Sequence, residues 1–337
     1  MKCIDKKRAG CLAFAFFLSF AGCGSKVKET SFSNPYHIYD TSKKYQLISE
    51  DDTSLQNTVP FFAADYCVSD GADLGTNDTS SYVAGASGVF NLNTKEVTYA
   101  QNIYGKMYPA STTKILTAYL ALKYGDLDAV YTVSAYAADQ ASDSSVCNLK
   151  AGDRLTLRQL LYGLMMQSGN DAAIAIAEGI SGDVDSFADL MNQEANALGA
   201  FDSHFVNPNG LHDKDHYTTV YDLYLLFQAA IKENAFRELI HTTEYTVDYL
   251  DALGIPVQQV WKSTNKYLLG TETVPGSVTV FGGKTGTTND AGYCLVLLSS
   301  NAAGEEIISI VMKADCRNNL YYYMNELLYG FSGGETK

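Results

Sequence analysis

Three short strings, Ser111-Thr-Thr-Lys114, Ser168-Gly-Asn170 and Lys284-Thr-Gly286, stand in that order along the chain. Their local contexts are a helix start, an inter-helix turn and a strand, so chemistry that uses all three needs a fold that gathers these contexts at one point. Singly the strings carry little. Ser-x-x-Lys recurs at Ser25 to Lys28 and Ser263 to Lys266, and Ser-x-Asn at Ser263 to Asn265 and Ser299 to Asn301. Lys-Thr-Gly occurs once. Only the set at 111, 168 and 284 has a fitting context at every member.

Tyr108-Pro-Ala110 breaks regular structure, and Ile115-Leu-Thr-Ala-Tyr-Leu-Ala-Leu122 is a strong helix-forming run. Ser111 is therefore predicted on the first turn of a buried helix. Free backbone N–H groups and the positive dipole end can stabilise an alkoxide or a tetrahedral oxyanion there. Lys114, three residues on, shares that face. It becomes a base for the serine if desolvation or a neighbouring cation lowers its pKa, and Lys284 is the candidate cation. In isolation the string reads as an N-cap serine before a solvated lysine.

Thr156-Leu-Arg-Gln159 is a capping box, followed by Leu157, Leu160, Leu161, Leu164 and Met165 at helical spacing. Ser168-Gly-Asn170 interrupts that pattern and Ala172 to Ile180 resumes it. Such a polar turn can project a hydroxyl and an amide into a cleft, Ser168 to relay a proton and Asn170 to hold a substrate amide. The alternative is an ordinary inter-helix cap. Val278 to Phe281, before Gly282-Gly-Lys-Thr-Gly286, and Gly292 to Ser299 read as neighbouring strands. The paired glycines are expected to let a substrate backbone lie along the strand edge, with Lys284 and Thr285 offered to a carboxylate. Alone, this string reads as a hairpin turn.

Together the strings resemble those of the serine-type D-alanyl-D-alanine carboxypeptidases, the low-molecular-mass penicillin-binding proteins. The resemblance runs from about Ala84 to Leu328. It takes in Gln167-Ser-Gly-Asn-Asp-Ala-Ala173, His204-Phe-Val-Asn-Pro-Asn-Gly-Leu211, His216-Tyr-Thr-Thr219, Ser263-Thr-Asn-Lys266 and Ala291-Gly-Tyr-Cys294. It implies that Ser111 is the acylated nucleophile, Lys114 its base, and Ser168 and Asn170 a second catalytic pair. It further implies that Lys284, Thr285, Gly286 and Thr287 form the substrate-carboxylate and oxyanion wall. Arg317, after the last strand, is either a further carboxylate contact or a plain surface arginine. The implied fold is α/β (α+β) of the penicillin-binding and serine β-lactamase kind, an antiparallel sheet from both chain ends packed on helices, plus an all-helical subdomain. The implied partners are peptidoglycan stem peptides ending in D-Ala-D-Ala and β-lactam antibiotics. No cofactor and no metal is implied.

A DD-endopeptidase acting on cross-linked muropeptides is open on the same motifs. A class A β-lactamase needs a loop glutamate to deacylate; this chain has no Glu-x-x-x-Asn string and reads Ser-Gly-Asn where those enzymes read Ser-Asp-Asn. A non-catalytic lipoprotein that binds muropeptide or reports β-lactam is a further alternative, although all the reactive residues are present. His212-Asp-Lys-Asp-His216 can be drawn as a zinc site, but no third ligand is evident.

Residues 1–22 read as a signal peptide, with Lys2, Lys6, Lys7 and Arg8 before an apolar run from Leu12 to Phe20 that is too short for a membrane span. Phe20-Ala-Gly-Cys23 resembles a lipoprotein processing box, which would make Cys23 the lipidated first residue of an enzyme anchored on the extracytoplasmic face of the cell membrane; plain cleavage and secretion is the alternative. Residues 24 to about 60 read as a polar tether, and residues 61–332 as the catalytic domain. The net charge is −14, and loss of residues 1–22, with four basic groups and one acid, makes it −17. So acidic a surface argues against nucleic acid as a partner. The scattered Cys67, Cys147, Cys294 and Cys316 read as buried small residues rather than a disulfide framework, although Cys294 and Cys316 flank one strand pair. Tyr321-Tyr-Tyr323 reads as packing, and the sequon Asn77-Asp-Thr79 carries no meaning in a bacterial lipoprotein. Coarsely, a hairpin over 81–102, mostly helix over 111–232, strands over 274–313 and a closing helix over 319–328 place both chain ends in one sheet.

Overall fold

Both ends of the folded region meet in a central five-stranded antiparallel sheet. The computed structural model describes residues 63–75 and 84–331, all within one unit, Pro60–Lys337. The signal segment, Cys23, the tether and Asn77-Asp-Thr79 lie outside the described residues. Strands β1 (Ala86–Asn91) and β2 (Glu96–Gln101) form the first hairpin. Strands β7 (Thr279–Thr288), β8 (Gly292–Ser300) and β9 (Glu306–Ala314) come from the other end, and the order is β2-β1-β9-β8-β7. The inner strands are apolar along their length because both faces are covered. Ile308, Ile310 and Met312 of β9 join Phe90 on one face, while Ile307 and Val311 face the closing helix α8 (Arg317–Phe331) through Leu320, Met324 and Leu327.

The helix predicted after Ser111 is α1 (Lys114–Tyr124), ended at Gly125 and buried over most of its circumference. Helices α4 (Asn170–Ser181), α5 (Val184–Ala197), α6 (Val220–Ala230) and α7 (Asn234–His241) pack around it. The capping box starts α3 (Leu157–Tyr162): the Gln159 N–H donates to Thr156 Oγ1 at 3.2 Å and the Thr156 N–H to Gln159 Oε1 at 2.8 Å.

The helical region carries more than helices. A second, four-stranded sheet of order β3-β4-β5-β6 joins β3 (Val130–Thr132), β4 (Arg154–Thr156), β5 (Glu244–Leu250) and β6 (Pro256–Lys262). The expected all-helical subdomain is corrected accordingly, and only the short α2 (Ala135–Ala138) interrupts the loop between β3 and β4. Strands β3 and β4 are three residues each, too short to show a period of two. The hairpin β5–β6 does alternate, burying Val247, Tyr249 and Trp261 and exposing the residues between. Its consequence is positional, because β6 leads straight into Ser263-Thr-Asn-Lys266.

Candidate active site

A tight 3-10 turn over Ala110–Thr113 delivers Ser111 to the head of α1. The turn is closed by the Thr112 hydroxyl donating to the Pro109 carbonyl at 2.7 Å. Ala110 is left-handed, at φ +48°, a conformation that non-glycine residues adopt only when their surroundings impose it. Two neighbours impose it here. Gly210 presses its Cα against the Ala110 carbonyl, where a Cβ would stand 1.9 Å from the oxygen. On the other side, Gly286 of β7 approaches so closely that a Cβ would lie 3.0 Å from the Pro109 carbonyl and the Ser111 and Thr112 nitrogens.

Lys114 is fully buried, and its Nζ lies 3.1 Å from Ser111 Oγ, 2.8 Å from Asn170 Oδ1 and 2.6 Å from the Asn209 carbonyl. A neutral amine has two N–H donors and one lone pair. The two carbonyl oxygens can only accept, so they take the donors, and the lone pair is left facing the serine hydroxyl. Burial lowers the Lys114 pKa well below its ordinary value, and the charge of Lys284 lowers it further. The geometry and the electrostatics both describe a base.

Ser168 ends a π turn over Gly163–Gln167 and is itself left-handed at φ +57°. Single π turns recur at functional sites. Its hydroxyl accepts from Lys284 Nζ at 3.0 Å, and the Thr285 carbonyl accepts from the same amine at 2.9 Å. Lys284 is buried, which lowers its pKa to about 7. The Thr285 hydroxyl meets that of Thr264 at 2.7 Å. The expected role of Gly282 and Gly283 is corrected: their missing side chains make room for the Ile240 and Val296 carbonyls, each 1.9 Å from where a Cβ would stand. The glycine that gives close backbone approach at the site is Gly286.

A cavity of about 340 Å³ brings Ser111, Ser168, Thr285, Gly286, Thr287 and Arg317 together, so Arg317 does reach the site. Asn170 instead lines an adjoining cavity of about 350 Å³, which shares Ser111 and Thr287. Thr264, Lys266, Ser145 and Asn209 also line these cavities, although none of them belongs to the three reactive strings. The signal for Asn209 was its loop, His204 to Leu211, whose backbone oxygen serves the base; a side-chain motif does not report that.

The pair drawn as a zinc site separates. His216 is buried; its Nδ1 accepts the Val206 N–H at 3.1 Å, so its Nε2–H donates to Thr113 Oγ1 at 2.8 Å. His212 faces Asp290, 3.8 Å away. Among the described residues no group of three or more His, Cys, Asp or Glu is placed to hold a metal ion. Cys67, Cys147, Cys294 and Cys316 are free thiols, the first three buried. Tyr321 and Tyr323 are buried as packing and Tyr322 is exposed.

Residues 74–316 match the family model described as D-alanyl-D-alanine carboxypeptidase. A D-alanyl-D-alanine carboxypeptidase of Streptomyces sp. (strain K15) is 34% identical over 254 residues, covering 72% of this chain and 85% of that one. The D-alanyl-D-alanine carboxypeptidase DacF of Bacillus subtilis (strain 168) is 32% identical, over 72% of this chain and 61% of its own length. This chain thus spans about three fifths of that relative. The crystal structure of the Streptomyces K15 DD-transpeptidase superposes with a TM-score of 0.68 at 30% identity, covering 73% of this chain and 95% of that one.

Proposed function

Because the chain belongs to the D-alanyl-D-alanine carboxypeptidase family, we propose that it removes the terminal D-alanine from peptidoglycan stem pentapeptides through an acyl-enzyme on Ser111. The observation that carries this reading is the Lys114 amine, whose two donors are occupied and whose lone pair faces Ser111 Oγ at 3.1 Å. In the first step Ser111 Oγ bonds to the carbonyl carbon of the penultimate D-alanine and its proton passes to Lys114 Nζ. The peptide C–N bond then breaks, and the departing amine takes a proton from Lys114, with Ser168 as relay. Water next attacks the ester and gives a proton to the neutral Lys114; the Ser111 Oγ–acyl bond breaks, Lys114 returns that proton to Ser111 Oγ, and the shortened peptide leaves with a new carboxylate. Lys284, Thr285 and Arg317 hold the terminal carboxylate, and Asn170 holds the amide on the acyl side.

The same chemistry opens a β-lactam, but there the leaving nitrogen stays tethered to the acyl group. The residues lining the two cavities include no glutamate to drive deacylation, which supports a lasting penicilloyl adduct over β-lactamase turnover. Export and lipid attachment at Cys23 complete the reading and place the enzyme on the outer face of the cell membrane, within reach of its substrate.

Incubation with penicillin followed by mass spectrometry tests the nucleophile: one adduct is expected on the Ser111 peptide, lost in Ser111→Ala. An adduct elsewhere, or none at saturating drug, overturns the assignment. Weighing the products from pentapeptide-bearing muropeptides then separates a peptidase, which releases D-alanine, from a protein that only binds.

A further inference from the structure

Residues 139–153 join α2 to β4 without helix or strand, yet they build part of the cleft, because Ser145 lines both cavities beside Ser111. A segment with no hydrogen-bond ladder of its own is held by side chains or by other backbone. Here one carboxylate does much of the holding. Asp171 is 1% exposed, follows Asn170 and stands in the first turn of α4. The Cys147 N–H donates to its Oδ1 at 3.0 Å and its Oδ2 at 2.9 Å, and the Leu149 N–H donates to Oδ2 at 3.0 Å. Asn148 between them is left-handed, at φ +60°, and the donors on either side converge on the carboxylate. The Ala172 N–H donates to Oδ1 at 2.9 Å, and the Asn170 N–H donates to the Ser145 carbonyl at 2.8 Å.

The middle residue of Ser168-Gly-Asn170 makes these contacts possible. Gly169 is the N-cap of α4 and supplies no side-chain cap. A Cβ there would stand 2.4 Å from Cys147 Sγ and 2.7 Å from Asp171 Oδ1, and one at Gly163, which opens the π turn, 2.6 Å from the same sulfur. The thiol therefore fills a notch between two glycines, and Asp171 supplies the acceptor that Gly169 lacks. The helix N-terminus favours the negative charge, and the converging N–H groups offset the cost of burying it. Loop, π turn and reactive turn are thereby joined as one piece. That piece carries Asn170 Oδ1, which accepts from Lys114.

We propose that Asp171 is a positioning residue for acyl transfer: its carboxylate latches the Ser145 loop to the turn bearing Ser168 and Asn170, and so fixes the cleft wall and the lysine base relative to Ser111. The proposal rests on the DD-peptidase reading above. Asp171 is not among the residues lining either cavity, so it acts through its neighbours. Its charge has a second effect. Lys284 on β7, Cys147 on the loop and Asp171 on α4 all act on the Lys114 amine, and the buried, neutral His216 is also near it. Asp171 is the carboxylate among them, and it opposes the lowering of the Lys114 pKa that burial and Lys284 impose.

The test measures acylation of the full chain by a fluorescent penicillin across pH, in the wild type, in Asp171→Asn and in Leu327→Ala, a core truncation in α8. Asp171→Asn keeps the shape but loses the charge and sets an N–H donor where an acceptor is needed. It should lower the limiting acylation rate by up to about 10²-fold, as misplacing a reacting group does, with a smaller change in penicillin binding. It should also move the acid limb of the profile to lower pH. Leu327→Ala should lower the denaturation midpoint and leave the limiting rate and the limb in place. An unchanged limiting rate in a folded Asp171→Asn, or an unmoved acid limb, overturns the proposal and leaves the peptidase reading intact. Should Asp171→Asn not fold, Gly169→Ala tests the same latch, because its Cβ wedges the Cys147 thiol away from the turn. It should slow acylation, and adding Cys147→Ala should restore part of the loss; a wedge without effect, or no restoration, overturns the latch. No penicilloyl adduct in the wild type would overturn the peptidase reading and the proposal with it.

Discussion

Lys114 and Lys284 are both sealed from solvent, at 0% and 1% exposure, and neither has an ion-pair partner among the described residues. An unpaired buried ion costs several kcal/mol, so the site is driven to give up protons. Burial brings Lys284 to about 7, and Lys114 bears the same burial plus the charge of Lys284. A proton entering the pair therefore lodges on Lys284 and leaves Lys114 free to act as base. For a peptide with a free carboxylate, kcat/KM should rise with pH as Lys114 deprotonates, then fall as Lys284 loses its charge near pH 7. An amidated peptide should lack the falling limb; a fall shared by both would exclude Lys284 as the carboxylate partner. Lys114→Arg, which cannot become neutral, should cost about 10²–10⁴-fold in acylation rate. His216 shows the opposite use of burial, as a neutral strut with its pKa lowered to about 4. Its contribution to stability is complete above the unfolded value of 6.5 and is lost as pH falls from there toward 4. His216→Ala should destabilise the fold and leave activity insensitive to chelators, which inhibition reversed by zinc would contradict.

At the scale of elements, β7 is located by what its glycines lack. Gly282 and Gly283 leave room for the carbonyls of α7 and β8, whereas Gly286 leaves room for the nucleophile turn. The two kinds of contact should separate on mutation. Gly283→Ala drives a Cβ into a backbone carbonyl within the sheet and should cost about 3 kcal/mol of stability, read by chemical denaturation. In Gly286→Ala the contact is 3.0 Å, so the strand need shift by only a few tenths of an ångström. Stability should change little while acylation slows by up to about 10²-fold, the penalty for misplacing a reacting group. Equal loss of stability in both variants would show that β7 has no distinct role in holding Ser111.

Across the whole molecule, stability should follow pH in a way set by buried groups rather than by the acidic surface. Lys284 has a folded pKa of about 7 against 10.5 in the ordinary state, so its penalty is full below 7 and is relieved as pH climbs. Buried acids work the other way. Tyr162, Tyr221 and Tyr249 are pushed up to about 12 and Cys294 to about 11, all chiefly by burial. Their contribution is full below the ordinary values of 9 to 10 and is lost above them. Maximal stability is therefore expected between about pH 7 and 9. Denaturation midpoints across that range should show a rise from pH 7 that Lys284→Met flattens; the same rise in the variant would assign it to other groups.

The sequence by itself determined the elements whose signals are local. A proline before an apolar run started the Ser111 helix, a reciprocal Thr156–Gln159 cap started α3, and the pattern over 274–313 marked strands. It also gave the three reactive strings, because their chemistry is carried by side-chain identity. Only the tertiary structure decided what depends on two distant backbones meeting. That the Asn209 carbonyl holds the lysine base, that Gly282 and Gly283 serve packing while Gly286 serves the nucleophile, and that β5 and β6 bring Thr264 and Lys266 to the cavity are facts of approach distance. So is the latch on the Ser145 loop, since Asp171 is an ordinary aspartate in the first turn of a helix until the fold brings the Cys147 and Leu149 N–H groups to it. A carbonyl oxygen is present at every residue and a carboxylate at many; neither carries information until folding gives it a neighbour.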